Sequence, residues 1–203
     1  MDLGEFRLNF NLQPLPQSYH LNHDHPLGLA KPLRKAAVLI ALSINNGELE
    51  LILTRRPQHL RAHPGQISFP GGKVEEFDLD LAATALREAH EEIGLSDSNV
   101  EVIGLLQDHK TFTGFDITPV VSIVKQPFTP QIDPGEVDEL FTVPLSFLLK
   151  QSNRHTQYFS RNGVKFPMHF IGYKSYFIWG ATAAIIDQLC RLISRHDHTI
   201  WSN

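Results

Sequence analysis

Cysteine is nearly missing: Cys190 stands alone among 203 residues, which excludes an internal disulfide and a cysteine-built zinc site. A basic excess is missing too. Eighteen Lys and Arg against 22 Asp and Glu leave a formal charge of -4, the wrong field for non-specific nucleic-acid binding. Long apolar runs are also lacking. Those near Ala36–Ile44 and Ile178–Ile186 fall far short of the ~20 residues needed to span a bilayer. The opening MDLGEFRLNF carries acids where a secretory leader would be basic. Together these gaps predict a soluble protein of a reducing, cytoplasmic compartment, with neither nucleic acid nor membrane as partner. What is there, 42% hydrophobic and 20% charged residues, suffices for one domain with a filled core.

Residues 1–34 read as an arm. Pro14, Pro16, Pro26 and Pro32, mixed with His20, His23 and His25, break any long period, leaving at most a short helix or turn near Phe6–Leu12. The domain is expected over 35–195, with a tail at 196–203. Ala36–Ile44 and Leu49–Arg56, separated by Asn45-Asn46-Gly47, predict a β-hairpin. A short strand over Gln66–Phe69 closes on Pro70-Gly71-Gly72. In Leu79–Ile93, Ala82, Ala85, Leu86, Ala89 and Ile93 recur at helical spacing; Asp78 or Asp80 is placed to cap the start, and Gly94 to end it. Strands are expected at Val100–Leu106, Ile117–Val124 and Leu140–Val143, a short helix at Pro144–Lys150, and a hairpin of Phe166–Ile171 and Ser175–Trp179 around Gly172. A last apolar helix runs from Ala181 to about Ser194. The alternation predicts a mixed α/β domain.

Charge is distributed unevenly. Between Arg55 and Lys73 there is no acid, yet Arg55, Arg56, His59, Arg61, His63 and Lys73 fall there. Seven acids then crowd Glu75–Glu92. Such a pairing suits a substrate whose phosphates meet cations on one side and a metal ion on the other. Glu88, Glu91 and Glu92 stand at i, i+3 and i+4, so their carboxylates share one helical face and repel one another. Arg87 neutralises part of that charge. The rest suits a hard divalent ion, Mg2+ or Mn2+, better than zinc.

Gly72–Leu95, GKVEEFDLDLAATALREAHEEIGL, resembles the Nudix box of hydrolases acting on nucleoside diphosphates linked to another moiety. Arg87–Leu95 matches its most diagnostic run in full. The front half departs from the pattern: the usual glycine and upstream glutamate positions fall on Lys73 and Leu79, so the loop is one residue longer and Asp78 lies nearest the missing acid. Leu53–Gly72, LTRRPQHLRAHPGQISFPGG, resembles the segment preceding the box in the coenzyme A pyrophosphatase group. Thr113–Phe115, Thr118–Val121, Glu136–Leu145 and Phe177–Ala183 carry further likeness. The resemblance implies a Nudix-type α/β/α sandwich with a mixed central β-sheet. It also implies metal-dependent cleavage of coenzyme A or its derivatives to 3′,5′-ADP and 4′-phosphopantetheine.

Glu88 and Glu92 are the expected metal ligands, with Glu91 completing the set by resemblance. Arg87 is expected to orient a glutamate, and Gly72 to bring its backbone to the ion. Arg55, Arg61 and His63 are candidates for the phosphates, and Gln66 for the ligand side of its strand. His90 reads as a neutralising neighbour of the acids, and Tyr176, Phe177 and Trp179 as core in preference to the lining of a groove. The proton acceptor is open among Glu92, another helix glutamate, Glu136 and Glu139. A Nudix hydrolase of ADP-ribose or a dinucleoside polyphosphate, and a non-catalytic nucleotide-binding regulator, are the alternatives. The intact Glu88, Glu91 and Glu92 weigh against the regulator.

Overall fold

The structure is a computed structural model and describes residues 1–11, 32–60, 62–161 and 163–194. In chain order its elements are α1 (Leu3–Asn11), β1 (Arg34–Asn45), β2 (Glu48–Arg55), β3 (Ile67–Ser68), β4 (Gly71–Lys73), α2 (Leu81–Ile93), β5 (Val100–Leu105), β6 (His109–Lys110) and β7 (Phe115–Val124). After these come β8 (Glu139–Pro144), α3 (Leu145–Leu149), β9 (Arg154–Arg161), β10 (Val164–Tyr173), β11 (Tyr176–Trp179) and α4 (Gly180–Ile193). The main sheet is mixed. β1 pairs parallel with β7 and antiparallel with β2 and β4; β8 extends it beyond β2, β3 pairs with the end of β2 on the edge β1 uses, and β5 and β6 lie beyond β7. β9, β10 and β11 form a separate antiparallel sheet.

Alternation along β1 sends side chains to both faces of this sheet. Ala37, Leu39 and Ala41 meet Ala85, Ala89 and Ile93 of α2, whereas Ile40 and Leu42 join Ile185, Ile186 and Leu189 of α4. Helices thus cover both faces, an α/β/α sandwich of Nudix type. The alanines on both sides of the α2 contact let the helix lie close to the strands that carry the glycine corner.

Several boundaries moved. α1 falls within the stretch read as an arm, but its Phe6 is fully buried in the α4-side core and Arg7 pairs with Glu101 at 2.6 Å. The helix therefore packs as part of the domain. The remaining arm prolines and histidines from Pro14 to Pro26, and the tail at 196–203, lie outside the described residues. α2 starts at Leu81 rather than Leu79, because Asp80 is the N-cap and accepts the Ala83 amide at 2.7 Å. The last hairpin turns at Lys174-Ser175, with Lys174 at φ 52, while Gly172 lies within β10 opposite Phe177. Phe177 and Trp179 are exposed instead of core, since Ile178 is the β11 residue that faces α4. β9 was not expected at all.

Candidate metal and phosphate site

Two ends of α2 build the site. At its start, Asp78 carries a side chain only 3% exposed. It accepts from Thr84 Oγ1 at 2.8 Å and the Glu75 amide at 2.9 Å, and takes Arg87 through both oxygens at 2.9 and 3.0 Å. The Arg87 guanidinium holds the Asp78 carboxyl well below its ordinary range. Arg87 also donates to the Lys73 carbonyl at 3.1 Å, to Glu88 at 2.8 Å and to Glu91 at 3.1 Å. One planar cation so ties the loop, β4 and two helix acids together. The extra loop residue leaves the helix undisturbed because Asp78 anchors it to Arg87.

β4 supplies the floor. Gly72 sits opposite Ala37 in the ladder, and a Cβ there would collide with the Glu88 carboxylate. The missing side chain is the space the carboxylate occupies. Gly71 likewise lies against the Ala37 carbonyl and Val38, too close for a Cβ, and its amide faces Glu92 Oε1 at 3.5 Å.

At the other end of α2, Gly94 at φ 70 closes the helix, its amide on His90 O and that of Leu95 on Ala89 O. Two further carbonyls of the last turn are taken by the next loop: Ile93 O accepts from Gln131 and Glu92 O from Asp133, both at 3.0 Å. Asp133 then receives the Glu136 and Val137 amides at 3.1 and 2.9 Å, and the Asp138 amide closes on Arg55 O at 2.8 Å. This relay brings Glu136 over the helix. Glu88, Glu92 and Glu136 each offer an oxygen within 4.8 Å of one another.

Glu91 does not join them. Its side chain is 57% exposed and rests on Arg87. Glu92 is 3% exposed; burial foremost, then the Glu136 and Glu88 carboxylates, push it up to about 8, against the opposing Gly71 amide and Arg56. Burial also raises Glu88. Three carboxylates in a partly desolvated pocket, with every donor an oxygen, fit a hard divalent cation that supplies the missing positive charge.

The basic segment divides differently from expectation. Arg55 is committed to Asp138 at 2.9 Å and Glu139 at 3.0 Å, and Glu139 is itself held by the Tyr176 hydroxyl at 2.7 Å. The Arg55 guanidinium is ion-paired on the β8 side. Its neighbour Arg56 faces the other way, within electrostatic reach of Glu92, and its guanidinium has no hydrogen-bond or ion-pair partner among the described residues. The Arg56 amide donates to Gln66 O at 2.9 Å and its carbonyl accepts from Gly65 at 3.1 Å. His63, at φ 56, lies on the exposed loop just before, its carbonyl bound by the Gln66 amide. The structure does not bring it into the carboxylate cluster. Arg61 lies outside the described residues. Strand alternation between Arg55 and Arg56 was the signal available for Arg56, but the acids that fix which arginine is occupied come from β8, far along the chain.

The sequence profile of the NUDIX domain matches residues 33–161. A Nudix hydrolase NudL from Enterobacter sp. (strain 638) is 43% identical over 156 residues, 77% of this chain and 81% of that protein. The NudL of Yersinia enterocolitica serotype O:8 / biotype 1B is 40% identical over 193 residues, 95% of this chain and 93% of that protein. Among solved structures, an Ap4A hydrolase of C. elegans is 18% identical, with a TM-score of 0.49 over 57% of this chain and 83% of that one. The family match and these relatives make the chain a pyrophosphohydrolase acting on phosphoric anhydrides. The chain belongs to the Nudix family, whose hydrolases need divalent metal ions, and falls with its NudL group.

Proposed function

We propose that the enzyme cleaves the pyrophosphate of coenzyme A or a derivative, giving 3′,5′-ADP and 4′-phosphopantetheine or its acyl form. The convergence of Glu88, Glu92 and Glu136 beside the unpaired Arg56 carries the reading. The likeness of Leu53–Gly72 to the coenzyme A pyrophosphatase segment supports the choice of substrate.

Glu88 and Glu92 would hold Mg2+ or Mn2+ from the helix and Glu136 from the loop. The chemistry such an ion would supply is withdrawal of charge from the anhydride oxygens and a lowered pKa for a bound water, whose hydroxide would be the nucleophile at phosphorus. The chain's own residues do the rest. Arg87 fixes the Glu88 carboxylate and offsets part of the charge of Glu88 and Glu91. Arg56 takes over the phosphate role expected of Arg55, orienting the anhydride in line by hydrogen bonds its guanidinium does not otherwise make. Gln66 and His63 are assigned to the same substrate edge, because the backbone bonds from Arg56 to residues 65 and 66 carry that loop alongside.

Incubating the protein with coenzyme A, ADP-ribose and a diadenosine polyphosphate under Mg2+ and analysing the products tests this. Coenzyme A is expected to be cleaved fastest, with loss of turnover in chelator and in Glu92→Gln. Faster cleavage of either other substrate rejects the substrate, and chelator-resistant turnover rejects the metal.

A further inference from the structure

Beside the carboxylate cluster the surface opens into a cleft of about 610 Å³, within the size range of small-molecule sites. One wall is Pro57 with Gln58 and His59; the other is Ile132, Pro134 and Val137. Chain connectivity joins it to the site. Pro57 directly follows Arg56, and Pro134 and Val137 bracket Glu136.

Both walls are held in place. The Ile132 wall hangs between the Gln131 and Asp133 amides, which are bound to the α2 carbonyls. On the other side, the Gly65 amide is fixed to Arg56 O, and the Gln58 amide packs so closely over Gly65 that a Cβ would collide with it.

The lining selects its occupant. Its apolar surface is aliphatic, from two prolines, an isoleucine and a valine, with no Phe, Tyr or Trp among the described residues, and the one aromatic ring, the His59 imidazole, belongs to the rim. Among the described residues it offers no arginine or lysine for a phosphate. The polar groups at its rim are the neutral Gln58 amide, the His59 imidazole and Asp138, whose charge is already matched by Arg55. Such a surface suits a flexible aliphatic chain interrupted by amides.

We propose that this cleft receives the pantetheine arm of the substrate, with the adenosine half leaving the cluster on the opposite side. The inference rests on the coenzyme A reading and adds an orientation: the phosphates lie on Arg56 and the carboxylates, and the amide-bearing arm runs over Pro57 towards Ile132. Ile132 and Gln58 become determinants of substrate choice.

Two variants test it, Ile132→Trp to fill the cleft and Gln58→Ala to remove its amide. Both positions sit at the surface, so the fold tolerates the change, and thermal unfolding checks this. Binding of 4′-phosphopantetheine and of 3′,5′-ADP is measured by calorimetry with Mn2+, and KM for coenzyme A by steady-state kinetics. Ile132→Trp is expected to raise the KM and weaken 4′-phosphopantetheine about tenfold, and Gln58→Ala about threefold, with 3′,5′-ADP binding held within about twofold. Equal loss for both products, loss confined to 3′,5′-ADP, or unchanged coenzyme A kinetics in both variants overturns the cleft assignment alone. A wild-type enzyme that cleaves ADP-ribose and ignores coenzyme A removes the substrate reading and this orientation with it.

Discussion

Arg87 makes five hydrogen bonds to four groups, and no other side chain could make them all. A lysine at 87 would keep the charge and lose the fork: it could serve Asp78 or Glu88, but not both oxygens of one, the other, and the Lys73 carbonyl together. Arg87→Lys is therefore expected to lower stability by about 2–3 kcal/mol, chiefly through the nearly buried Asp78 left half-paired. Freed from its anchor, Glu88 should bind Mn2+ roughly tenfold more weakly. Thermal unfolding and a Mn2+ titration followed by electron paramagnetic resonance measure the two effects, and a variant matching wild type in both would mean Arg87 is only a surface cation. The arginine pair at 55 and 56 teaches the complementary lesson. The basic character of the segment is plain in the sequence, but which guanidinium is spare depends on Asp138 and Glu139, whose place beside Arg55 comes from β8 pairing with β2.

Elements with a strong period were readable. The β1–β2 hairpin and α2 follow from an apolar alternation and a three-four stripe, and Glu88 with Glu92 from their one-turn spacing on that helix. β9, RHTQYFSR, has no such alternation, because its residues from His155 to Ser160 are all exposed and neither face calls for apolar side chains, and it left no trace. Glu91 shows what spacing leaves open: three glutamates share one side of the helix, yet Glu88 and Glu92 are drawn together with Glu136 while the exposed Glu91 rests on Arg87. Glu136 was legible as a loop acid and a candidate proton acceptor, alongside Glu139, but not as the third carboxylate beside Glu88 and Glu92, since the relay that delivers it runs through main-chain bonds to the end of α2. That relay is testable. At Gly94 a Cβ would add left-handed strain and fall 2.8 Å from Gln131 Cβ, so Gly94→Ala should lose about 1–2 kcal/mol and displace the loop, weakening Mn2+ binding severalfold. Gly47→Ala is the matched control, with φ +80 and open space around its Cβ: comparable strain, unchanged metal affinity. Equal metal affinity in both variants would uncouple the loop from the helix end.

Across the whole molecule, the sandwich sets three acids on a close-packed face and thereby stores an electrostatic debt that only a cation settles. Without metal, the folded state keeps Glu92 protonated up to about pH 8, against an ordinary value of 4.5. Between those values the folded protein binds more protons than the unfolded chain, so the metal-free enzyme must lose stability as pH rises through the window and level off above it, by on the order of a few kcal/mol. Asp78 is shifted the other way and titrates below this window. A divalent ion binds the ionised carboxylates, so its stabilisation should grow over the same range as fewer protons have to be displaced. The melting temperature in chelator is thus expected to fall from pH 5.5 to pH 8, and saturating Mg2+ or Mn2+ to raise it more at pH 8 than at pH 6. Glu92→Gln, which keeps the shape and removes the charge, should flatten the chelator profile. A profile that rises across the window, or a Glu92→Gln profile as steep as wild type, would mean that the buried glutamate is compensated within the protein itself and that no cation is called for at this place in the fold.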